Sequence, residues 1–255
     1  MIEHQPKITY IGHATTLIET GGLRLLTDPV LRNWVWHLHR GQTTVEADWY
    51  QKIDAVLISH LHWDHLDLPS LKLLERNTRL IVPRGAGLYM AQQGFTNIEE
   101  LGVDQSITLG QTDIRATYAH HDGARSPFSG LAADSLGYLI RNRHTIYFAG
   151  DTDLFPEMTG LTNNRLDVAL LPVWGWGPTL GHGHMDPYQA ARALQLLRPK
   201  VAIPIHWGTF FPFGLRWLMP QFLTNPPKQF EQYATRLAVG VQTKIVEPGQ
   251  SLIVV

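Results

Sequence analysis

Short runs of apolar and β-branched residues, separated by turn residues, dominate this chain. Residues 7–11, 15–19 and 23–27 are the first three, and Gly21-Gly22 between the last two predicts a meander. A loop from Asp28-Pro29 to about residue 48 has no clean period, and Ile53-Asp54-Ala55-Val56-Leu57-Ile58 then reads as a buried strand. Helical spacing follows over 66–75, a strand over 79–83 and a short helix over 85–93. Further strands are expected over 113–119, 136–140, 145–149 and 167–171. Asp186 reads as the N-cap of a helix over 187–197 with Pro187 in its first turn, and a strand over 201–205 comes next. Pro226-Pro227 precedes a helix over 228–239, and runs over 243–246 and 252–255 close the sequence. No linker or charge block interrupts this order, so the expectation is an α/β fold in a single domain over 1–255.

Composition narrows the function classes. Apolar residues make up 44% of the 255 and charged residues 17%, the balance of a compact protein with a substantial core. A formal charge of −1 without a basic run lacks the electrostatic footprint of a nucleic-acid binder, so no nucleic-acid partner is expected. No leader pattern and no bilayer-length apolar run are visible, which makes the cytoplasm the expected compartment. There is no cysteine, so neither a thiolate metal site nor a cysteine nucleophile exists.

The chemistry concentrates in Ser59-His60-Leu61-His62-Trp63-Asp64-His65, which places four metal-ligand side chains within six positions just after an expected strand. Imidazole nitrogens and a carboxylate oxygen match zinc, manganese and iron. Ligand types recur where later strands end: His120-His121-Asp122, Gly150-Asp151-Thr152 and His206-Trp207-Gly208-Thr209. A shared carboxylate suits two closely spaced cations, and Asp151 is placed for it, although an aspartate there also fits a turn cap. His206 equally fits a buried histidine stacked on Trp207. His4, His37, His39 and His144 show no partner in the sequence and read as structural or surface residues, and His13 as a residue that orders a turn or supports a ligand.

His-x-His-x-Asp-His resembles the signature of the metallo-β-lactamase fold hydrolases, which implies a four-layer αβ/βα sandwich. Gly12-His13-Ala14-Thr15, Leu26-Thr27-Asp28-Pro29, Leu171-Pro172 and His206-Trp207-Gly208-Thr209-Phe210 extend the likeness to the branch containing N-acylphosphatidylethanolamine phospholipase D and the L-ascorbate-6-phosphate lactonases. The resemblance implies His60, His62 and one of the paired histidines on a first metal, Asp64, His65 and His206 on a second, and Asp151 between them. Residues 118–125 resemble the Pro-x-x-His-Trp-x-x-Arg segment of the phospholipase subgroup, which puts the ligand at His121 rather than His120 and matches Arg125 to its arginine, making Arg125 a candidate substrate contact. The flanking proline and tryptophan are missing here, as is that subgroup's long N-terminal extension. His184-Met185-Asp186-Pro187 also resembles the phospholipase and makes His184 a candidate substrate contact.

These readings imply a hydrolase that uses two divalent transition-metal ions, zinc first, with manganese or iron as alternatives. A hydroxide shared by the metals would attack, with Asp64 and Asp151 as the catalytic carboxylates. The leading substrate is a phosphodiester in a lipid-like or otherwise amphipathic small molecule, cleaved in phospholipase D fashion. A lactonase or other carboxyl-ester hydrolase is the alternative, and a non-catalytic metal-binding module is the alternative outside enzymes. A broken ligand set would mark the last, and the set here is complete. Trp34, Trp36 and Trp217 lie in apolar segments without a strict period, so they are candidates for binding an acyl group or contacting a membrane peripherally, whereas Phe210 reads as core. Homo-oligomerisation is compatible with the sequence.

Overall fold

Alternate residues of the strands face two different cores, as the period of 2 along a strand demands. Ile8, Tyr10, Ile18, Leu25, Ala55, Leu57 and Ile81 point into the larger core, while Ile11, Leu17, Leu26, Val56, Leu80 and Val82 belong to a second one. The computed structural model describes residues 5–41, 44–126, 129–161 and 165–254. His4, and Val255 at the end of the last expected strand, lie outside the described residues.

Two seven-stranded mixed sheets form the body. The first runs, in spatial order, Gln250–Ile253, Lys7–Gly12, Thr15–Thr20, Leu23–Thr27, Ala55–Leu57, Arg79–Pro83 and Ile98–Leu101. The second runs Gln242–Thr243, Val201–Ile205, Val168–Pro172, Thr145–Phe148, Leu136–Arg141, Thr112–Tyr118 and Ser106–Leu109. Their facing sides share the larger core. The second core contains Met90 of the helix Gly87–Gln92 and Leu71 of the helix Leu68–Leu71. Ala190, Ala191, Ala193 and Leu194 of the helix Pro187–Leu197, with Phe230 and Ala234 of Pro226–Leu237, cover the second sheet. This is the αβ/βα sandwich.

The helix Pro187–Leu197 and the strand Val201–Ile205 fall where the sequence puts them, with Asp186 making the expected cap as a capping box with Gln189. The helix expected over 66–75 shrinks to Leu68–Leu71, because the amides of Leu73 and Leu74 turn to the carbonyls three residues back and tighten the chain out of the α-helix. The helix expected over 228–239 starts and ends earlier, at Pro226–Leu237. In the loop expected from Asp28 to about residue 48, Trp34–Val35 and Leu38–Arg40 form a small hairpin, and Phe210–Pro212 pairs with its second strand. Among the described residues no helix is long and apolar enough to cross a membrane.

Parallel pairing decides where the chemistry goes. Leu23–Thr27 lies parallel to Ala55–Leu57, and Thr145–Phe148, Val168–Pro172 and Val201–Ile205 are parallel neighbours. Their C-terminal ends therefore coincide, which brings the loops after residues 27, 57, 148 and 205 to one edge of the sandwich.

Candidate metal centre

The loop after Ala55–Leu57 is folded around His62, whose carbonyl accepts from the amides of both His65 and Leu66. That tight turn gathers the four side chains of the motif, with the rings of His60 and His65 4.1 Å apart. Nε2 of His60 lies 3.0 Å from Nδ1 of His62, and Nε2 of His121 lies 3.1 Å from the same atom. These three form one candidate metal group. Asp64, His65, His206 and His13 form another, with Nε2 of His65 3.2 Å from Nε2 of His206. Asp151 lies between them, its Oδ2 3.0 Å from Nε2 of His65, 3.3 Å from Nε2 of His206 and 3.2 Å from Nε2 of His184. Nε2 of His184 thus reaches the floor of the site, and His184 makes a further group with His121 and Asp151.

The structure separates the paired histidines. His121 turns inward and its Nδ1–H donates to the Gly183 carbonyl at 2.8 Å, whereas the His120 side chain is exposed and stacks beside Tyr118. A Cβ on Gly183 would meet Nδ1 of His121 at 2.8 Å, so glycine is needed for this approach. Gly150 is constrained in the same way, with φ of +62° and a hypothetical Cβ 2.7 Å from that of Ser59. It lets Asp151 come down against the motif loop.

The far side of each ring is held as well. Nδ1–H of His206 donates to the Trp174 carbonyl at 2.7 Å, and Nδ1–H of His65 to Oδ2 of Asp28 at 2.8 Å. Asp28 is fully buried and also accepts from the amide and hydroxyl of Ser59, at 2.7 and 2.6 Å. With its own proton on Asp28, the Ser59 hydroxyl accepts from Nδ1–H of His60 at 2.9 Å. One carboxylate therefore orients a ligand of each group. In the sequence Asp28 stands out only as the start of a loop and as part of the Leu26-Thr27-Asp28-Pro29 likeness. Its φ of +35°, with +60° at His13 and +63° at His206, puts three non-glycine residues of the site in the left-handed region, where strain marks a constrained backbone.

Arg125 lies beneath the motif loop. Its guanidinium donates from Nη1 to the carbonyls of Leu61 and Leu66 at 2.7 and 2.6 Å and sits 3.8 Å over the Trp63 ring. At 4% exposure it is placed to hold the ligand loop rather than to meet a substrate. Trp34, Trp36 and Trp217 are 44, 82 and 72% exposed. Trp34 contacts Phe213, which contacts Trp217, while Trp36 touches His37 and His37 touches Trp176. Phe210 is core, as expected, with its ring edge against His13.

Electrostatics suit cations. Burial and the neighbouring imidazoles hold His60 well below the usual histidine range, and burial pushes His121 down to about 4, so both offer neutral lone pairs. Burial also lowers His206 strongly. For Asp151 burial works in the opposite sense to the outcome: His206, His65 and His184 overcome it and keep the carboxyl well below its ordinary value. Burial likewise opposes protonation of His65, yet Asp151, Asp28 and Asp64 raise it well above the usual range, which marks its Nε2 as a point that attracts positive charge. Oδ1 of Asp151 is buried without a hydrogen-bond partner. An orphaned carboxylate oxygen among converging imidazole nitrogens fits divalent transition metals, with the donors for two.

A family model described as the β-lactamase superfamily domain matches residues 23–207. The chain belongs to that family. Among relatives of this superfamily member, a UPF0173 metal-dependent hydrolase of Methanopyrus kandleri is 30% identical over 250 residues, covering 96% of this chain and 98% of that one. A UPF0173 protein of Pyrococcus furiosus is 30% identical over 204 residues, covering 80% and 84%. Igni18, a metallo hydrolase from the archaeon Ignicoccus hospitalis, superposes with a TM-score of 0.76 at 27% identity, covering 97% of each chain.

Proposed function

We propose that this superfamily member is a dinuclear metal-dependent hydrolase, with residues 1–255 as the catalytic unit, and that it cleaves a phosphodiester in an amphipathic, lipid-like substrate. The observation that carries the hydrolase reading is the convergence of His60, His62 and His121 on one side of Asp151 and of Asp64, His65 and His206 on the other. Two divalent ions held by these residues, zinc first with manganese and iron as alternatives, would supply acidified water and positive charge at the attacked centre. The names of the Methanopyrus and Ignicoccus relatives support the same class.

The chain's own groups have distinct tasks. Asp151 would stand between the two ions, and its buried, unpartnered Oδ1 is an acceptor that would help hold them and orient the attacking hydroxide. His184 holds Nε2 beside Asp151 and is raised in pKa because, against burial, that carboxylate favours its charged form; with Nδ1 held by the carbonyls of Gly181 and His182, its ring is the candidate substrate contact at the floor of the site. The aromatic surface of Trp34, Trp36, Phe213 and Trp217 is linked to the site through His37, Trp176 and the cluster of Phe210, whose ring meets His13, and it receives the acyl part of the substrate or rests at a membrane surface, on the cytoplasmic side.

A carboxyl ester or lactone is the second reading, favoured by one observation. Arg125 and Arg40 are both buried and donate to backbone carbonyls, so neither is free to meet the negative charge of a phosphodiester. A panel of a phosphodiester, a lactone and a thioester, each with long and short chains, presented to zinc- and manganese-loaded protein decides between them. Turnover of the phosphodiester above the other two is expected. Preference for the lactone would move the assignment to the second reading, and no turnover of any ester would sink both.

A further inference from the structure

His13 touches the second metal group three times. Its imidazole is buried, its ring lies 3.9 Å from that of His206, and its Nε2 is 2.9 Å from Oδ2 of Asp64. The amide of His206 also donates to the His13 carbonyl at 2.7 Å, while the His13 amide donates to Oγ1 of Thr209 at 2.8 Å. The turn that makes this possible is local. Register shifts between Tyr10 and Gly12, and Gly12 and His13 take φ of +131° and +60°, which swings the imidazole off the strand end and across to the motif loop.

We propose that His13 is the positioning residue of the second metal group, donating a hydrogen bond to Asp64 and backing the ring of His206, rather than a further ligand. The inference rests on the reading that Asp64, His65 and His206 hold a metal ion. Asp64, His65 and His206, with Asp151 beside them, already offer the second group four protein donors, the number such an ion takes, which leaves Nε2 of His13 at 2.9 Å to hydrogen-bond Oδ2 of Asp64. Among the described residues the Asp64 carboxylate has no other hydrogen-bond donor. Without His13 its torsions would be free in a partly open position, and the first group, which His13 does not touch, would be unaffected.

The test is metal binding by the full-length protein, measured as cobalt(II) retained per chain against a competing chelator, with the cobalt absorption spectrum as a second readout. Wild type is expected to hold two ions. His13→Ala should keep one and bind the other about 10- to 100-fold more weakly, the usual loss when a residue orienting a ligand is removed. His13→Gln, whose side-chain amide can still donate to Asp64, should recover both the second ion and the wild-type spectrum. Two tightly held ions in His13→Ala would overturn the proposal. So would a His13→Gln variant that is as weak as the alanine and whose spectrum shows one imidazole fewer, since His13 would then be a ligand. Should the alanine variant fail to fold, the glutamine variant decides alone by the same criteria. A wild-type protein that takes up fewer than two ions would instead fail the dinuclear reading itself.

Discussion

The floor of the site and its aromatic rim are neighbours built on opposite principles. On the floor, Nδ1 of His60, His65, His121 and His206 is each hydrogen-bonded from behind, and Asp28 ties ligands of both groups together. On the rim, Trp36, Phe213 and Trp217 are well exposed and touch mainly one another and nearby histidines. Positive φ occurs in both, at His13, Asp28 and His206 on the floor and at Trp36 in the turn of the rim hairpin, but on the floor it belongs to residues buried within the site. The rim rests on a hairpin of two short strands, joined by Phe210–Pro212, so side chains there can adapt to a substrate. The contrast predicts that floor substitutions change metal content and rate, whereas rim substitutions change substrate affinity alone.

The largest effect should come from Asp151→Asn. The amide keeps the shape but removes the charge between the two groups and replaces an acceptor oxygen by a donor. Turnover of the metal-loaded protein is expected to fall by about 10³-fold or more, the scale on which electrostatic elements of catalytic sites act. The fold should survive, as circular dichroism would report. A near-normal rate with two ions still bound would end the bridging assignment.

Next in size is the contrast between the paired histidines. His121→Ala removes one of three ligands from the first group and should release its ion, whereas His120→Ala changes an exposed ring and should leave both ions in place. Elemental analysis of the two variants measures this directly. The opposite pattern would reverse the assignment of His121.

Asp28→Asn should have an intermediate effect that spreads across both groups. Its oxygens hold His65 directly and His60 through Ser59, and an amide cannot accept from all three donors. Affinity for both ions is expected to drop about 10- to 100-fold. Loss confined to one ion, read from chelator titration, would mean that the Ser59 link does not couple the groups.

How far these parts could be read from sequence follows the same division. His60 to His65 are legible because four ligand types crowd into six positions after an apolar run, and the strand-end contexts of Asp151 and His206 follow once a shared edge is assumed. Asp28 was legible only as the start of a loop and part of a family likeness, since its function comes from the parallel pairing of Leu23–Thr27 with Ala55–Leu57, a tertiary fact. Arg125 resembled a substrate contact by motif, while its role under Leu61 and Leu66 depends on contacts about sixty residues away in sequence. The strands Ile98–Leu101 and Ser106–Leu109 were missed because both are sheet edges, where residues such as Glu99 and Glu100 replace the apolar pattern of a central strand. The rim hairpin has too few residues for any period to show.

The smallest and most selective effect is expected from the rim. Replacing Trp34, Trp36 and Trp217 together by serine removes apolar surface that is exposed in the free protein and would be covered only when a chain of the substrate lies on it. Burial of aromatic surface worth about 1.5 kcal/mol on binding corresponds to a roughly tenfold change in affinity. The Michaelis constant for a long-chain ester should therefore rise about 10-fold or more, while that for a short-chain ester with the same scissile group should change by less than about twofold. Metal content should be unaltered, because none of the three tryptophans belongs to a candidate metal group. The melting temperature should also hardly move, since substitutions at exposed positions usually stay within about 0.5 kcal/mol. A parallel rise for both chain lengths would show that these residues act on the site as a whole. A marked fall in melting temperature would make them part of the packing of the hairpin, and the amphipathic substrate would lose its binding surface.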